Sequence, residues 1–215
     1  VAHYCDAKGL RVRALLVSLI VKRWSPIRVL LAALHRVAGI DLPRRLLIGM
    51  LTGQARVDLV RAAGDYVDRL LEKSRVEAIW PLFEVEASRS RVVLASASLC
   101  VVVDELARRF SADAIASRLE YSQGRCTGRL ISDATGKKED LLQALLPDEI
   151  VPIWLFVCTD NRSDAPLLRA ADEGVAVLYP GRRGLQGTGL PVTVRRILVD
   201  GSKSVERPGS GGESE

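Results

Sequence analysis

Cysteine and histidine are scarce in this 215-residue chain. The four cysteines are widely separated and form no Cys-x-x-Cys pair: Cys5, Cys100, Cys126 and Cys158. This spacing excludes a disulfide scaffold and disfavours a zinc site or a thioredoxin-like motif. With only two histidines, the chain has little to offer a histidine-based metal site or catalytic relay. The cysteine usage indicates a reducing compartment, and we therefore expect a cytoplasmic protein.

The sequence also lacks a hydrophobic run long enough to span a bilayer. The apolar stretch at residues 14–21 ends at Lys22-Arg23, and a transmembrane helix needs about 20 apolar residues. We therefore expect no transmembrane segment.

A large excess of one charge is absent as well. The net charge of +5 is modest for this length and does not require a nucleic-acid partner, so we expect none. The basic residues are concentrated in residues 1–75, which hold 14 Lys and Arg against 6 Asp and Glu. One open alternative is a module that docks this basic block on an anionic surface, with Leu16, Leu19 and Ile20 as its apolar contacts. A solvated basic face explains the same pattern more simply.

The pattern that is present predicts an α/β fold. Short apolar runs predict strands at residues 1–5, 91–95, 150–158, 175–178 and 192–199, and a hairpin at 114–131 that turns at 122–125. Helical patterns lie between them, at about 99–110, 136–146 and 165–171. Strands that alternate with helices are typical of a parallel sheet covered on both faces.

A long helical block interrupts this alternation. Residues 12–85 carry helix-start signals at Ser25-Pro26 and Asp41-Leu42-Pro43. Apolar residues recur on one predicted helix face, which we expect to pack on other helices of the block: Val57, Val60, Val67 and Leu71. We predict an α/β core from residues 1–11 and 86–200, a helical cap from 12–85, and a disordered tail at 201–215. The cap would lie at the carboxyl edge of the sheet, where open α/β sheets bind ligands.

Polar residues follow the predicted strands. Asp6, Ser96 and Asp160 end strands, and Lys138 begins a predicted helix. Any one of them can be only a helix cap or turn former. Together they suit phosphate chemistry, and we expect them to converge at one cleft. Asp6 would attack phosphorus to give an aspartyl-phosphate and would hold Mg²⁺ with Asp160, while Ser96 and Lys138 would hold the phosphoryl oxygens.

Four segments match a family pattern in order. Residues 92–98 (Val-Val-Leu-Ala-Ser-Ala-Ser) end a strand in Ser-Ala-Ser, and a Gly-x-x-Thr-Gly hairpin follows at 124–128. Lysine follows glycine at 136–138, and 159–168 reads Thr-Asp-x-x-x-Asp-x-x-x-Leu. The combination resembles the haloacid dehalogenase (HAD) superfamily, in particular its phosphoserine-phosphatase-like subfamily IB, with a helical cap inserted after the first strand.

The resemblance implies a HAD-like Rossmannoid fold and a Mg²⁺-dependent phosphatase of a small phosphomonoester, a phosphoserine-like metabolite. It implies the following catalytic residues: Asp6, Lys8, Ser96 and Lys138. It implies four metal ligands, the second through its backbone carbonyl: Asp6, Lys8, Asp160 and Asp164. It implies three phosphate-binding residues: Ser96, Ala97 and Lys138.

The first motif departs from the family pattern Asp-x-Asp-Gly-Thr. The matching segment is Asp6-Ala7-Lys8-Gly9-Leu10, so lysine stands where the family has its general acid and base. An ammonium can donate a proton but is a poor base near neutral pH. The alternative is therefore a catalytically impaired phosphate-binding or regulatory protein on the same fold. A further alternative is that Asp6 merely ends a strand in an unrelated opening segment.

Two smaller possibilities concern other residues. Arg44, Arg45 and Arg56 are candidates to face a carboxylate or second phosphate of the substrate, although arginines on helix surfaces are common. Cys5 lies two residues from His3, but no third group is evident to orient a cysteine nucleophile, and a strand cysteine is usually inert core.

If Lys8 occupies the acid/base position, turnover is slow and a phosphoenzyme persists, because no carboxylate activates the hydrolytic water. Lys8→Asp should then raise kcat by roughly 10²- to 10⁴-fold, the usual contribution of a positioned acid/base. Asp6→Asn should abolish activity in both backgrounds. Steady-state kinetics checks this, and a kcat that Lys8→Asp leaves unchanged would contradict it.

Overall fold

A computed structural model describes residues 1, 4–5, 41–146, 154–180, 185, 189 and 194–199. The chain divides into two compact units. The first unit combines Val1–Arg69 with Arg91–Thr135, and the second combines Leu70–Ser90 with Gly136–Glu215. None of the helices in the described ranges has both the length and the apolar character needed to cross a membrane.

The elements of the first unit are, in chain order, α1 (Leu42–Gly49), α2 (Arg56–Lys73, which continues into the second unit), β1 (Val93–Leu99), α4 (Cys100–Arg109), β2 (Asp113–Ser122) and β3 (Arg125–Ser132). Those of the second are α3 (Trp80–Arg89), α5 (Lys138–Leu145), β4 (Phe156–Thr159), a 3₁₀ turn (Arg162–Asp164), α6 (Ala165–Ala170), β5 (Glu173–Leu178) and β6 (Arg195–Leu198). The alternation of helices with parallel strand pairs confirms the predicted α/β class.

The helix-start signal at Asp41 is confirmed. The Asp41 carboxylate accepts a hydrogen bond from the backbone N–H of Arg44 at 3.1 Å, and Pro43 occupies the first turn of α1. The carboxylate therefore satisfies one of the N–H groups that the first turn leaves without a helical partner. The other start signal, Ser25-Pro26, lies outside the described residues.

The predicted apolar face of α2 is wrong at two positions. Val57 and Val60 are 65% and 42% exposed, whereas the buried residues of this helix are Leu59, Ala62, Ala63 and Val67. The buried set is spaced by three and four residues and forms one stripe. Val60 lies about 100° around the helix from Leu59 and so falls off that stripe. Counting only the large aliphatic side chains missed the two alanines that define the packed face.

The first sheet has the order β1-β2-β3, with β1 parallel to β2 and β2 antiparallel to β3. The predicted hairpin is confirmed. Its two-residue turn, Gln123-Gly124, has φ values of 49° and 73°, the left-handed conformation that two-residue hairpin turns favour.

Strand β1 is longer than predicted. It continues through Ser96 to Leu99 rather than ending at Ser96. Its register with β2 is regular at residues 93–95 and resumes only at Leu99, so the three residues between them leave the regular ladder. Ser96 thus lies in a strand irregularity and not at a strand end.

The second sheet has the order β4-β5-β6 with all pairs parallel. Helix α6 packs on it through Leu168, which is 1% exposed beside Ala176 and Val194. Gly174 allows this close approach, because a Cβ there would lie 3.2 Å from side-chain atoms of both Leu168 and Val194. Helix α6 is therefore held tightly against the start of β5.

The predicted opening strand is wrong at Tyr4 and Cys5, which the structure describes together with Val1. Tyr4 and Cys5 are helical, and the Cys5 N–H donates to the Val1 carbonyl at 3.0 Å in the i to i−4 pattern of a helix. Five apolar-leaning residues are too few for periodicity to separate strand from helix. In the described part of the predicted cap, residues 41–85, the regular elements are helices, and Ala55 forms an isolated β-bridge with Arg125. The boundaries between cap, core and tail stay predictions.

A substitution of Gly128 tests how the hairpin packs against the C-terminal end of α1. Its φ is +79°, and a Cβ there would lie 2.1 Å from Oγ1 of Thr52 and 3.2 Å from the Cα of Gly49. We expect Gly128→Ala to lower the free energy of unfolding by about 1–2 kcal/mol for the left-handed backbone and by about a further 1–3 kcal/mol for overpacking. Chemical denaturation measures it.

Gly124→Ala is the matched control. Gly124 has a similar φ of +73°, but a Cβ there would meet nothing within 4 Å. Gly124→Ala should therefore lower the free energy of unfolding only by the contribution of the left-handed backbone. Equal losses in the two variants would contradict the close-packing explanation.

Candidate functional site

A buried ion pair lies beyond the carboxyl end of β4. The ammonium of Lys138 donates to both carboxylate oxygens of Asp164 at 2.8 Å. The two residues are 8% and 7% exposed. An ion pair this well buried is stable only when both charges are matched and fully hydrogen-bonded.

Two short-range hydrogen bonds fix the Asp164 carboxylate, and a third hydrogen bond holds Ser163. Thr159, the last residue of β4, donates its hydroxyl to Asp164 at 2.9 Å, and the Ser163 hydroxyl donates to the other oxygen at 3.1 Å. Asn161 accepts from the Ser163 N–H at 3.1 Å. Sequence analysis did not assign Thr159 or Ser163 a role. A hydroxyl residue directly before an aspartate, as in Ser163-Asp164, is the signal that was available.

Asp160 and Asp164 differ in whether their carboxylates are available to a metal ion. Both Asp164 oxygens are taken by Lys138 and the two hydroxyls, whereas Asp160 is exposed at the end of the strand. In the described part of the chain, no group of three or more His, Cys, Asp and Glu residues is placed to hold a metal ion. Asp6 and Lys8, the other predicted metal-binding residues, lie outside the described residues.

Ser96 and Ala97 occupy the irregular part of β1 in the first unit. The Ser98 N–H donates to the Ser96 hydroxyl oxygen at 3.1 Å, and the hydroxyl can still donate its own proton. Lys138, Asp160 and Asp164 lie in the second unit, where the first and last of these are joined. Convergence of Asp6, Ser96, Lys138 and Asp160 stays a prediction.

A cavity of about 400 Å³ lies within the first unit. Residues from α1, α2 and the β1–α4 junction line it, including Leu51, Ala63, Ala97 and Ser98. Pockets of this volume accommodate small molecules. It adjoins the Ala97-Ser98 part of the predicted phosphate-binding segment.

The three arginines considered for substrate binding have different surroundings. Arg44 contacts groups of the protein itself, among them Asp133 at 3.1 Å. Arg56 stacks 5.5 Å from the ring centroid of Tyr121, and Arg45 is exposed. The pairing of Arg44 with Asp133 was missed by sequence analysis, because the two residues are far apart in sequence and share no motif.

The cysteines give no support to cysteine catalysis. Cys5 is 0% exposed. Cys158 is exposed as a residue, yet desolvation of its sulfur raises the pKa of the thiol to about 11. The thiolate is the nucleophilic form of cysteine, so a thiol with this pKa is a weak nucleophile at neutral pH.

A family profile described as haloacid dehalogenase-like hydrolase matches residues 10–169. The match includes the segments around Ser96, Lys138 and Asp164 and begins after Asp6 and Lys8. A search of curated protein sequences found no match.

Solved structures with similar folds include three bacterial proteins. A HAD family hydrolase from Salmonella enterica subsp. enterica serovar Typhi is 19% identical, with a TM-score of 0.49 over 84% of this chain and 61% of that one. A probable phosphoserine phosphatase from Vibrio cholerae is 17% identical, with a TM-score of 0.59 over 91% and 55%. A protein of unknown function from Bordetella pertussis Tohama I is 20% identical, with a TM-score of 0.55 over 82% of each chain.

The likenesses to the Vibrio and Bordetella structures concern the fold. This chain spans less than two thirds of the length of the Salmonella and Vibrio chains.

The Lys138–Asp164 pair predicts strong coupling in a double-mutant cycle. Lys138→Met leaves the Asp164 carboxylate buried without its counter-charge, and it should lower the free energy of unfolding by about 3–5 kcal/mol. Asp164→Asn should be similarly costly. The double variant should lose clearly less stability than the sum of the two single losses, because it leaves no buried charge without a partner. Urea titration measures all three.

Lys137→Met is the control, since Lys137 is the adjacent lysine and is exposed. It should change the stability by no more than about 0.5 kcal/mol. Additive losses for the Lys138 and Asp164 variants would mean that the two charges do not depend on each other.

Proposed function

Because the chain belongs to the haloacid dehalogenase-like hydrolase family, we propose that it is a phosphatase of small phosphomonoesters, phosphoserine-like metabolites among them. The reaction we propose is Mg²⁺-dependent and forms an aspartyl-phosphate on Asp6. We propose Ser96, Ala97 and Lys138 as the residues that bind the phosphate, and the cytoplasm as the place of action.

The observation that carries the proposal is the buried Lys138 ammonium. Lysine is seldom buried, and here Asp164 holds the ammonium at a fixed position after a parallel strand. The hydroxyls of Thr159 and Ser163 hold Asp164 in turn. A preorganised cation in a partly dry site can stabilise the charge that develops on transferring phosphoryl oxygens. A purely structural role could be filled by an apolar pair at lower desolvation cost.

The available oxygen donors fit Mg²⁺. This ion binds one or two carboxylates and completes its shell with water and phosphate oxygens. The exposed Asp160 carboxylate offers such a ligand, and we propose Asp6 and the Lys8 carbonyl as further ligands. Asp164 was assigned to the metal from the family resemblance, but its oxygens serve Lys138 in the structure. When bound, Mg²⁺ would offset the repulsion between an anionic nucleophile and an anionic ester.

The proposed chemistry has two steps. A carboxylate oxygen of Asp6 attacks phosphorus, the ester P–O bond breaks, and the leaving alkoxide takes a proton from the Lys8 ammonium. Water then attacks the phosphorus of the aspartyl-phosphate, the P–O bond to Asp6 breaks, and the water loses a proton to solvent. Inorganic phosphate is released and the Asp6 carboxylate is restored. The second step is the slow one, because the Lys8 amine regains a proton from solvent near neutral pH and the resulting ammonium is a poor base for the attacking water. Lys138 and the Ser96 hydroxyl donate to the phosphoryl oxygens in both steps.

The second candidate is a phosphate-binding protein without turnover. It is favoured by one observation, the family match that begins at residue 10 and so leaves the Asp6–Lys8 segment unmatched. In this case the Lys138 site binds the anion, but no nucleophile acts on it.

A phosphatase assay on the full chain separates the two candidates. We expect Mg²⁺-dependent release of inorganic phosphate from at least one member of a panel of phosphomonoesters that includes phosphoserine, and loss of the activity with EDTA. Calorimetric titration with inorganic phosphate runs in parallel. Phosphate binding without turnover supports the second candidate, and the absence of both would refute the two together.

Variants of exposed aspartates test the metal assignment. Asp160→Asn should raise the Mg²⁺ concentration needed for half-maximal activity by roughly 10-fold or more, since one charged ligand is lost. Asp140→Asn is the control, because Asp140 is exposed on the first turn of α5 and has no proposed role. The same Mg²⁺ dependence in both variants would remove Asp160 from the metal site.

A further inference from the structure

Arg44 joins its helix to three other segments of the first unit. One terminal nitrogen of its guanidinium donates to the Ala97 carbonyl at 2.6 Å and to the Ser117 hydroxyl at 2.7 Å, and lies 3.1 Å from the Asp133 carboxylate. The other terminal nitrogen donates to the Thr135 hydroxyl. Its partners thus belong to β1, to β2 and to the segment that follows β3.

The contact with Ala97 falls at the irregular part of β1. A strand carbonyl in a regular ladder accepts from the neighbouring strand, but the pairing of β1 with β2 breaks between Ala95 and Leu99. The Ala97 carbonyl accepts from Arg44 instead, and the Ser117 hydroxyl lies 3.0 Å from it. Arg44 therefore supplies a hydrogen bond that the strand register does not.

Ser117 and Asp133 hold the guanidinium in place. Ser117 is 0% exposed, and its hydroxyl oxygen also accepts from the Ala134 N–H at 3.0 Å. Burial acts to raise the pKa of Asp133, but hydrogen bonds from Thr135 and the Arg44 charge outweigh it and lower the pKa below its ordinary value. The carboxylate is thus ionised at neutral pH and neutralises Arg44.

These contacts argue against Arg44 as a direct phosphate ligand. Its fork already faces a carboxylate, a carbonyl and two hydroxyls of the protein. Its effect on a bound anion would have to pass through Ala97, the middle residue of the Ser-Ala-Ser segment.

We propose that Arg44 is a positioning residue for phosphate binding, which fixes the conformation of residues 96–98 through the Ala97 carbonyl. This inference rests on the proposed function, because it takes Ser96 and Ala97 as phosphate-binding residues. Arg44 lies on a helix of the predicted cap, and the inference makes that helix part of the support of the anion site.

The test compares Arg44 with Arg61, an exposed arginine of α2. Arg44→Met should weaken inhibition by inorganic phosphate and raise the KM of the best phosphomonoester by roughly 10- to 100-fold, the usual range for loss of a hydrogen bond from a charged group. Arg61→Met, at an exposed arginine of α2 with no assigned role, should match the wild type. Arg44→Lys should be intermediate, because lysine keeps the charge but lacks the fork that reaches several acceptors at once.

Chemical rescue separates positioning from a general loss of stability. Millimolar methylguanidine should partly restore the KM of Arg44→Ala and should leave the KM of Arg61→Ala unchanged. If Arg44→Met and Arg44→Ala do not fold, Arg44→Lys decides the matter through its KM.

Two results overturn the inference and can be told apart. If the wild type is active and Arg44→Lys and Arg44→Met keep its KM and phosphate inhibition, the positioning role is wrong while the proposed function stands. If the wild type neither hydrolyses any ester nor binds phosphate, the proposed function is wrong and the inference falls with it.

Discussion

A buried ammonium must have its counter-charge within reach, and this requirement at Lys138 constrains much of the second unit. Asp164 meets it only because the chain turns sharply after β4 and returns at the start of α6. Thr159 and Ser163 then hold the carboxylate from both sides of that turn. The close packing of α6 on β5 at Gly174 keeps the turn in place. A site of this kind is rigid by construction, because moving any one element would leave a buried charge without a partner.

The first unit solves a related problem with a different residue type. The irregular stretch of β1 removes a carbonyl from its ladder, and a guanidinium replaces the missing donor. Arginine suits this role because its planar fork donates in several directions while one carboxylate neutralises it. The two units thus each contain a cation held by an aspartate, one nearly inaccessible and one partly exposed. We propose that Lys138 also binds phosphate, whereas the fork of Arg44 faces groups of the protein.

Features that are encoded locally could be predicted from the sequence. The hairpin turn at Gln123-Gly124 and the helix start at Asp41 each depend on a few neighbouring residues. The buried face of α2 does not, because packing against other elements decided that small alanines, and not Val57 or Val60, face inward. Five residues at the start of the chain carried too short a pattern to distinguish a helix from a strand.

The candidate site shows the same division. Lys138 and Asp164 were found through their motif spacing, but their pairing joins residues 26 apart and could not be derived from either motif alone. The motif also suggested that Asp164 binds metal, and only the hydrogen bonds reveal its use by Lys138. Ser96 was recognised as a phosphate-binding candidate, yet the support of its segment by Arg44 depends on the tertiary structure.

The long sequence separation of the Arg44 contacts has a consequence for biosynthesis. Its partners Ala97, Ser117 and Thr135 lie 53, 73 and 91 residues further along the chain. Contacts this distant carry a high loop-closure cost and form late in folding. On the ribosome, α1 therefore emerges well before the groups that hold it, and its arginine stays hydrated until the end of the hairpin has been synthesised. A nascent chain that ends before Ser117 therefore contains Arg44 and Ser96 but lacks the Ser117, Asp133 and Thr135 groups that hold the guanidinium.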